Sequence, residues 1–250
     1  MKNIKHLIVL LALIVLVPCT MAFAQEDSLK AKKNEQIANG TLELVFILDR
    51  SGSMSGLEKD TIGGYNSFLD KQRKLEGYVK LTTVLFDHKY EVLHDRLNLN
   101  DVKPITDKEY YVRGSTALLD AIGKTILNIE NSQNQMEESK RSKHVLFVIT
   151  TDGMENASKE FSYEKIRKMI EQRKEEKEWE FIFLGANIDS AKTAEMVGIS
   201  ADRAANYHAD SSGVQNNYET LGETVKAFRS TGAISKDWKK TIEGDFEKRK

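Results

Sequence analysis

The segment Leu44–Ser53, which reads LVFILDRSGS, joins an apolar run directly to an acid and two hydroxyl side chains. A continuous apolar run is typical of a strand that is covered on both faces, as in a parallel sheet between helices. Strands of this kind usually end in a turn containing Gly, Asn or Pro. Because Asp49, Ser51 and Ser53 place oxygen atoms at alternate positions instead, the segment predicts a polar site at the end of a buried strand.

Other segments of the chain have the patterns of further strands. Val145–Ile149 and Phe181–Leu184 are continuous apolar runs like the first. Leu81–Phe86 and Tyr90–Leu93 are separated by only three residues, so they should form a hairpin and give the sheet one antiparallel edge strand.

Helical patterns fill the intervals between these strands. The predicted helices are Leu57–Leu75, a segment beginning near Leu118, one capped by Ser162, one between Asp189 and Gly198, and one spanning Val214–Phe228. Alternating strands and helices predict an α/β fold, a Rossmann-like three-layer sandwich. Its central sheet should be mostly parallel, with one antiparallel edge strand and helices on both faces.

The first 24 residues have the layout of a secretory signal peptide. Basic residues precede the apolar core Leu7–Val17, and Ala22–Ala24 is a small-x-small cleavage site. Leu16–Cys19 resembles a lipoprotein processing site only loosely, because proline next to cysteine fits that pattern poorly. We therefore expect cleavage after Ala24 rather than lipid anchoring at Cys19, and a periplasmic, secreted or cell-envelope location.

Composition restricts the possible functions of the mature chain. Removing the first 24 residues takes away Lys2 and Lys5, so 35 basic residues face 38 acidic ones, which gives no support for binding to nucleic acid or to an anionic membrane surface. Cys19 is the only cysteine and would be removed with the signal peptide, so disulfides and cysteine metal sites are excluded for the mature chain. We also expect no membrane span in the mature chain. The expected order is a polar tether at 25–38, one domain at 39–232 and a charged tail at 233–250. This tail either docks onto the domain through Trp238 or is loose.

Two more oxygen donors occur at predicted element ends. Asp152 follows the run Val145–Ile149, and Thr116 lies where a loop enters a helix. Ligands of open α/β sheets bind outside the carboxyl ends of the strands, near the point where strand order reverses. If the two strands are neighbours, these donors meet the Asp49 segment. A set with oxygen donors only favours Mg²⁺, Mn²⁺ or Ca²⁺, and leaves coordination positions for water or a partner's oxygen.

Five residues, in this order and at these element ends, resemble the metal-ion-dependent adhesion site of von Willebrand factor type A domains: Asp49, Ser51, Ser53, Thr116 and Asp152. The similarity covers about Leu42–Phe228. It implies that the three hydroxyls bind the ion and that the two carboxylates act largely through coordinated water. The ion would be Mg²⁺ or Mn²⁺, with Ca²⁺ a weaker candidate, and its open position would accept a Glu or Asp carboxylate of a partner protein. The chain is also similar to a bacterial subgroup of secreted or membrane-linked type A proteins.

Residues near the five donors carry separate expectations. Arg50 and Met54 occupy variable positions of the motif and should point outward, where a partner could touch them. Gly114 should let its loop approach closely, and Ser115 should cap the following helix. Asn187, at the end of another strand, either lines the rim of the site or is an ordinary turn residue.

Three functions are compatible with these residues. The first is a metal-dependent protein-binding module, which we favour. The second is a Mg²⁺-dependent hydrolase or phosphoryl-transfer enzyme, but the chain has no phosphate-binding loop, no nucleophile elbow and no second aspartate two residues after Asp49. The third is a structural turn that binds no metal. We predict no catalytic residues and no organic cofactor.

Overall fold

A computed structural model describes residues 41–249. The predicted signal peptide, Cys19 and the polar tether lie outside these residues. Six strands form one sheet in the order β3-β2-β1-β4-β5-β6, and only the β2–β3 pair is antiparallel. The strands are β1 (Leu42–Asp49), β2 (Val79–Phe86), β3 (Tyr90–Asn98), β4 (His144–Thr151), β5 (Glu180–Ala186) and β6 (Ala204–Tyr207). The predicted mostly parallel sheet with an antiparallel edge strand is thereby confirmed.

Helices cover both faces of the sheet. They are α1 (Glu58–Arg73), α2 (Leu118–Asn134), α3 (Tyr163–Lys177), α4 (Ser190–Met196), α5 (Ser211–Thr231) and α6 (Lys240–Lys248). Buried residues of α1, α5 and α6 belong to one apolar cluster, and those of α2, α3 and α4 belong to the other. No helix within residues 41–249 has both the length and the apolar character that crossing a membrane requires.

The position of β1 between two layers of helices explains why its sequence is apolar at nearly every position. Leu44, Phe46 and Leu48 pack into the cluster beneath α1 and α5, whereas Val45 and Ile47 pack into the cluster beneath α2 and α3. Successive side chains of a strand point to opposite faces, so a strand covered on both sides needs an unbroken apolar run.

The segment after Gly232 packs onto the domain. Trp238 and Ile242 are buried in the same cluster as α5, and the Trp238 indole donates a hydrogen bond of 2.8 Å to the Asp202 carbonyl. Lys239 Nζ donates to the carbonyl oxygens of Ala201 and Ala204. Of the two alternatives for this tail, docking through Trp238 is therefore the one that the structure shows.

Candidate metal centre

The two strands that carry the acidic loops are adjacent. β1 pairs with β4 in parallel from Leu42 opposite His144 to Leu48 opposite Thr150. The chain builds the sheet outward from β1 on one side and from β4 on the other, so strand order reverses between these two strands. This is the switch point at which open α/β sheets bind ligands. Asp49 and Asp152 consequently lie at the same edge of the sheet.

The structure brings all five predicted donors together in one hydrogen-bonded cluster. The Ser51 Oγ lies 3.1 Å from Ser53 Oγ and accepts a hydrogen bond of 3.1 Å from Thr116 Oγ1. Ser53 Oγ donates to Asp152 Oδ1 at 2.6 Å, and Asp49 Oδ1 accepts from the Ser51 backbone N–H at 2.7 Å. Residues up to 103 positions apart in sequence thus share one small volume.

Burial raises the proton affinity of both carboxylates. Asp49 is 0% exposed and Asp152 is 3% exposed. Burial raises the pKa of Asp49 to about 6, although hydrogen bonds from Thr151 and Ser51 lower it, and the charge of Asp152 adds to the increase. The pKa of Asp152 is also raised by burial, against a hydrogen bond from Ser53. Two buried carboxylates that lie close together repel each other and favour a cation between them.

The donor set fits a hard divalent cation. Asp152 Oδ2 is buried and accepts no hydrogen bond from the described part of the chain. A Cβ at Gly153 would lie only 3.1 Å from Ser53 Oγ and 3.3 Å from Thr116 Oγ1, so a larger residue would crowd these hydroxyls. Within residues 41–249, no three His, Cys, Asp or Glu side chains lie close enough to hold a metal by themselves. Any ion held here would therefore depend on hydroxyl and water oxygens.

Solved structures provide the comparison for this fold. No family model and no curated protein matches the chain. The von Willebrand factor type A structure from Catenulispora acidiphila aligns with a TM-score of 0.52 and 13% identity over 74% of this chain and 42% of that one. The chain has the von Willebrand factor type A fold. At this level of identity, a shared fold carries no information about function.

Two further solved structures are similar to this chain. The pilus adhesin SpaC from Lactobacillus rhamnosus GG, in an open conformation, aligns with a TM-score of 0.56 and 12% identity over 73% of this chain and 30% of that one. Proximal thread matrix protein 1 from the mussel byssus aligns with a TM-score of 0.50 and 13% identity over 74% of this chain and 46% of that one. The chain thus spans less than half the length of each of the three structures.

Thr151 also belongs to the candidate metal centre, although no pattern in the sequence singles it out. Its hydroxyl donates to Asp49 Oδ2 at 2.6 Å and lies 3.1 Å from the Gly153 carbonyl. Both oxygens of Asp49 are therefore used, one by Thr151 and one by Ser51. The only signal in the sequence is a hydroxyl residue immediately before Asp152, at the predicted end of a strand.

The Thr116 segment is fastened to the loop that carries Asp152. The Thr116 N–H donates to Asn156 Oδ1 at 2.9 Å, and the Asn156 N–H donates back to the Thr116 carbonyl at 3.0 Å. Asp120 accepts from three backbone N–H groups at 159–161. These reciprocal bonds fix the two loops relative to each other.

The prediction that Ser115 caps α2 is wrong. The N-cap position is Ala117, whose side chain forms no capping bond. The helix N–H groups are satisfied from the β4–α3 loop instead, because Leu119 N donates to Glu155 and Asp120 N donates to Ser158 Oγ. A cap supplied from a distant loop leaves no local sequence signature.

Two of the four predicted rim residues differ from expectation. The prediction that Arg50 and Met54 point outward is wrong: Arg50 is 0% exposed and forms an ion pair with Asp87, while Met54 is buried in the apolar core. Gly114 has a φ of 67°, and its carbonyl accepts from Gly52 N at 3.1 Å, so the two loops lie close together. Asn187 is exposed with a left-handed φ of 56°, the conformation of a turn residue.

Proposed function

We propose that this domain binds one divalent cation, Mg²⁺ or Mn²⁺, and uses it to hold a Glu or Asp carboxylate of a partner protein. The observation that carries the proposal is the cluster of two buried carboxylates and three hydroxyls, in which Asp152 Oδ2 has no hydrogen-bond partner among the described residues. A buried polar atom without a partner is costly, and a bound cation with its water would satisfy it.

Each residue of the cluster has a distinct part in this proposal. The hydroxyls of Ser51, Ser53 and Thr116 would hold the ion directly. Asp49, whose two oxygens already accept hydrogen bonds, would act through water, and we propose the same for Asp152. The bound ion supplies an electrophilic position for an incoming carboxylate. An amide could not replace that ligand, because it carries no charge to pair with the cation.

A thermal melt tests the metal site directly. Mg²⁺ or Mn²⁺ at 100 times its Kd should stabilise the folded protein by about 2.7 kcal/mol relative to EDTA, provided that the unfolded chain does not bind it. Asp152→Ala should abolish this stabilisation, and Thr116→Ala should weaken it less because threonine is a neutral ligand. Asp70→Asn, which alters an exposed acid on α1, is the control and should respond like the wild type. A wild-type melt that is unchanged by either ion contradicts the proposal.

Partner binding needs a separate experiment. Envelope proteins retained by the immobilised domain in Mg²⁺ should be released by EDTA, and Asp49→Ala and Asp152→Ala should retain none of them. Equal retention by the wild type and both variants would count against a carboxylate held on the metal. Phosphatase and esterase screens in Mg²⁺ test the enzymatic alternative, since turnover that Asp49→Ala abolishes would replace our proposal.

We also propose that the chain is exported and cut after Ala24, so that the domain at 39–232 acts in the periplasm, at the envelope or outside the cell. The adhesin and thread-matrix structures with the same fold are compatible with this location. Amino-terminal sequencing of the protein from its native cells should begin at Gln25. A lipid-modified Cys19 at the amino terminus would contradict this expectation.

A further inference from the structure

A charge cluster, in which Arg50 and Asp87 are fully buried, lies beside the candidate metal centre, on the opposite side of β1 from β4. Asp87 follows β2, the other neighbour of β1, and is completely buried. Its Oδ2 accepts hydrogen bonds from Arg50 Nε at 3.2 Å and from Arg113 Nε at 2.7 Å. Glu91 pairs with the same two arginines. We refer to Arg50, Asp87, Glu91 and Arg113 as the Asp87 cluster.

Arg50 connects the Asp49 loop to two other parts of the chain. Its backbone N–H donates to the Phe86 carbonyl at 2.8 Å, and its carbonyl accepts from Arg113 N at 2.9 Å. Its guanidinium also donates to the Glu109 carbonyl and lies 5.3 Å from the centre of the Tyr111 ring. The side chain is therefore held by the hairpin and by the 109–113 segment together.

Asp87 holds the Thr116 segment at both ends. On one side of Thr116, Arg113 donates its hydrogen bond to the Asp87 carboxylate. On the other side, Ala117 N donates to the Asp87 carbonyl at 2.9 Å. The Thr116 hydroxyl, which donates to Ser51 Oγ, therefore lies on a short segment that Asp87 holds on both sides.

We propose that Arg50 and Arg113 act through Asp87 as positioning residues that place the Thr116 hydroxyl against Ser51 and thereby set the metal affinity. This inference rests on the proposed function. Burying charged pairs rarely stabilises a fold more than apolar packing does, so stability alone is a weak reason for the cluster. Outer residues that orient ligands typically change metal affinity by about 10–100-fold.

The chain provides a matched control for a purely structural role. Arg96 pairs with the buried carboxylate of Glu43, near the amino-terminal end of β1 and therefore at the opposite end of the sheet. Arg96→Met should destabilise the fold without touching the metal centre. Arg50→Met and Arg113→Met remove the same charge from the Asp87 cluster. Arg113 is 31% exposed, so Arg113→Met should still fold if Arg50→Met does not.

Mn²⁺ titration by calorimetry, at a temperature where every variant is folded, gives the dissociation constants. We expect Arg50→Met and Arg113→Met to weaken Mn²⁺ binding about tenfold and Arg96→Met to leave it unchanged. In a Thr116→Ala background, Arg113→Met should have little further effect, because the hydroxyl that it positions is gone.

Wild-type affinity in Arg113→Met, an equal loss in Arg96→Met, or additive losses with Thr116→Ala would overturn the positioning role while leaving the metal site intact. A wild-type protein that binds no Mn²⁺ would overturn the proposed function and this inference together.

Discussion

Asp49 and Asp152 differ in how their oxygens are used, so their removal should have different consequences. Both oxygens of Asp49 accept hydrogen bonds from buried donors, whereas one oxygen of Asp152 accepts none from the described residues. In EDTA, Asp49→Ala should lower the free energy of unfolding by about 1–3 kcal/mol, because Ser51 N and the Thr151 hydroxyl lose their acceptor.

Asp152→Ala should leave the metal-free protein at least as stable as the wild type, since it removes a buried carboxylate that is only partly satisfied. Urea unfolding in EDTA measures both variants. Equal destabilisation by the two substitutions would show that Asp152 is satisfied in solution by groups other than a metal.

The raised pKa of Asp49 predicts an unusual pH dependence for the metal-free protein. Between the ordinary value of 3.8 and the folded value of about 6, the folded protein holds a proton that the unfolded chain has released. The contribution of Asp49 to the free energy of unfolding should therefore fall as the pH rises from about 4 to about 6 in EDTA. Asp87 has a lowered pKa, because bonds from Arg113 and Lys89 outweigh its burial, and it acts in the opposite sense only below this window.

Urea unfolding in EDTA across this pH window tests the prediction. Asp49→Asn, which cannot titrate, is the control, and the stability of the wild type relative to this variant should fall across the window. A wild-type stability that changes with pH in parallel with that of Asp49→Asn would mean that Asp49 is ionised in the folded protein at pH 5.

At the scale of the elements, two adjacent glycines in α1 have different surroundings. A Cβ at Gly64 would overlap the Tyr218 ring of α5, whereas a Cβ at Gly63 would meet nothing within 4 Å. Gly64 therefore allows α1 and α5 to pack closely. Gly64→Ala should cost about 1–3 kcal/mol by overpacking, and Gly63→Ala should gain up to about 1 kcal/mol of helix propensity.

Denaturant unfolding of the two alanine variants compares them under identical conditions. The pair is informative because the chemical change is the same and only the neighbouring helix differs. Similar effects from both substitutions would mean that α5 moves away from α1 to accommodate the extra methyl group.

Local sequence predicted the helix caps only where the capping residue is adjacent to its helix. The Ser162 and Asp189 side chains accept from backbone N–H groups three residues later, as expected. The cap of α2 is supplied by Glu155 and Ser158, which lie more than thirty residues beyond the helix start. Strand β6 was not predicted, because its four residues lack a continuous apolar run.

At the scale of the whole molecule, α6 and the preceding Trp238 both pack onto the core of the domain. The indole is buried against α5 and bonded to the Asp202 carbonyl. Trp238→Ala should lower the free energy of unfolding by about 3–5 kcal/mol, through the cavity and the lost hydrogen bond. Lys240→Ala, which removes an exposed side chain of the same segment, should change it by less than about 0.5 kcal/mol.

Thermal or urea unfolding distinguishes the two variants, and limited proteolysis reports whether the segment detaches. Trp238→Ala should become sensitive to cleavage after Gly232 before the domain unfolds. Resistance equal to that of the wild type would mean that the ion pair between Arg249 and Asp210 and the buried Ile242 hold α6 without the indole.

The sequence by itself determined five of the six sheet-forming segments and the identity of the oxygen donors. Unbroken apolar runs such as Leu44–Leu48 require cover on both faces, and the spacing of Asp49, Ser51 and Ser53 is written in consecutive residues. Only the tertiary structure decided that Arg50 turns inward to Asp87, that Thr151 orients Asp49 and that α2 is capped from another loop. Those contacts join segments that are distant in sequence, and the pairing of β1 with β2 and β4 brings them within hydrogen-bonding distance.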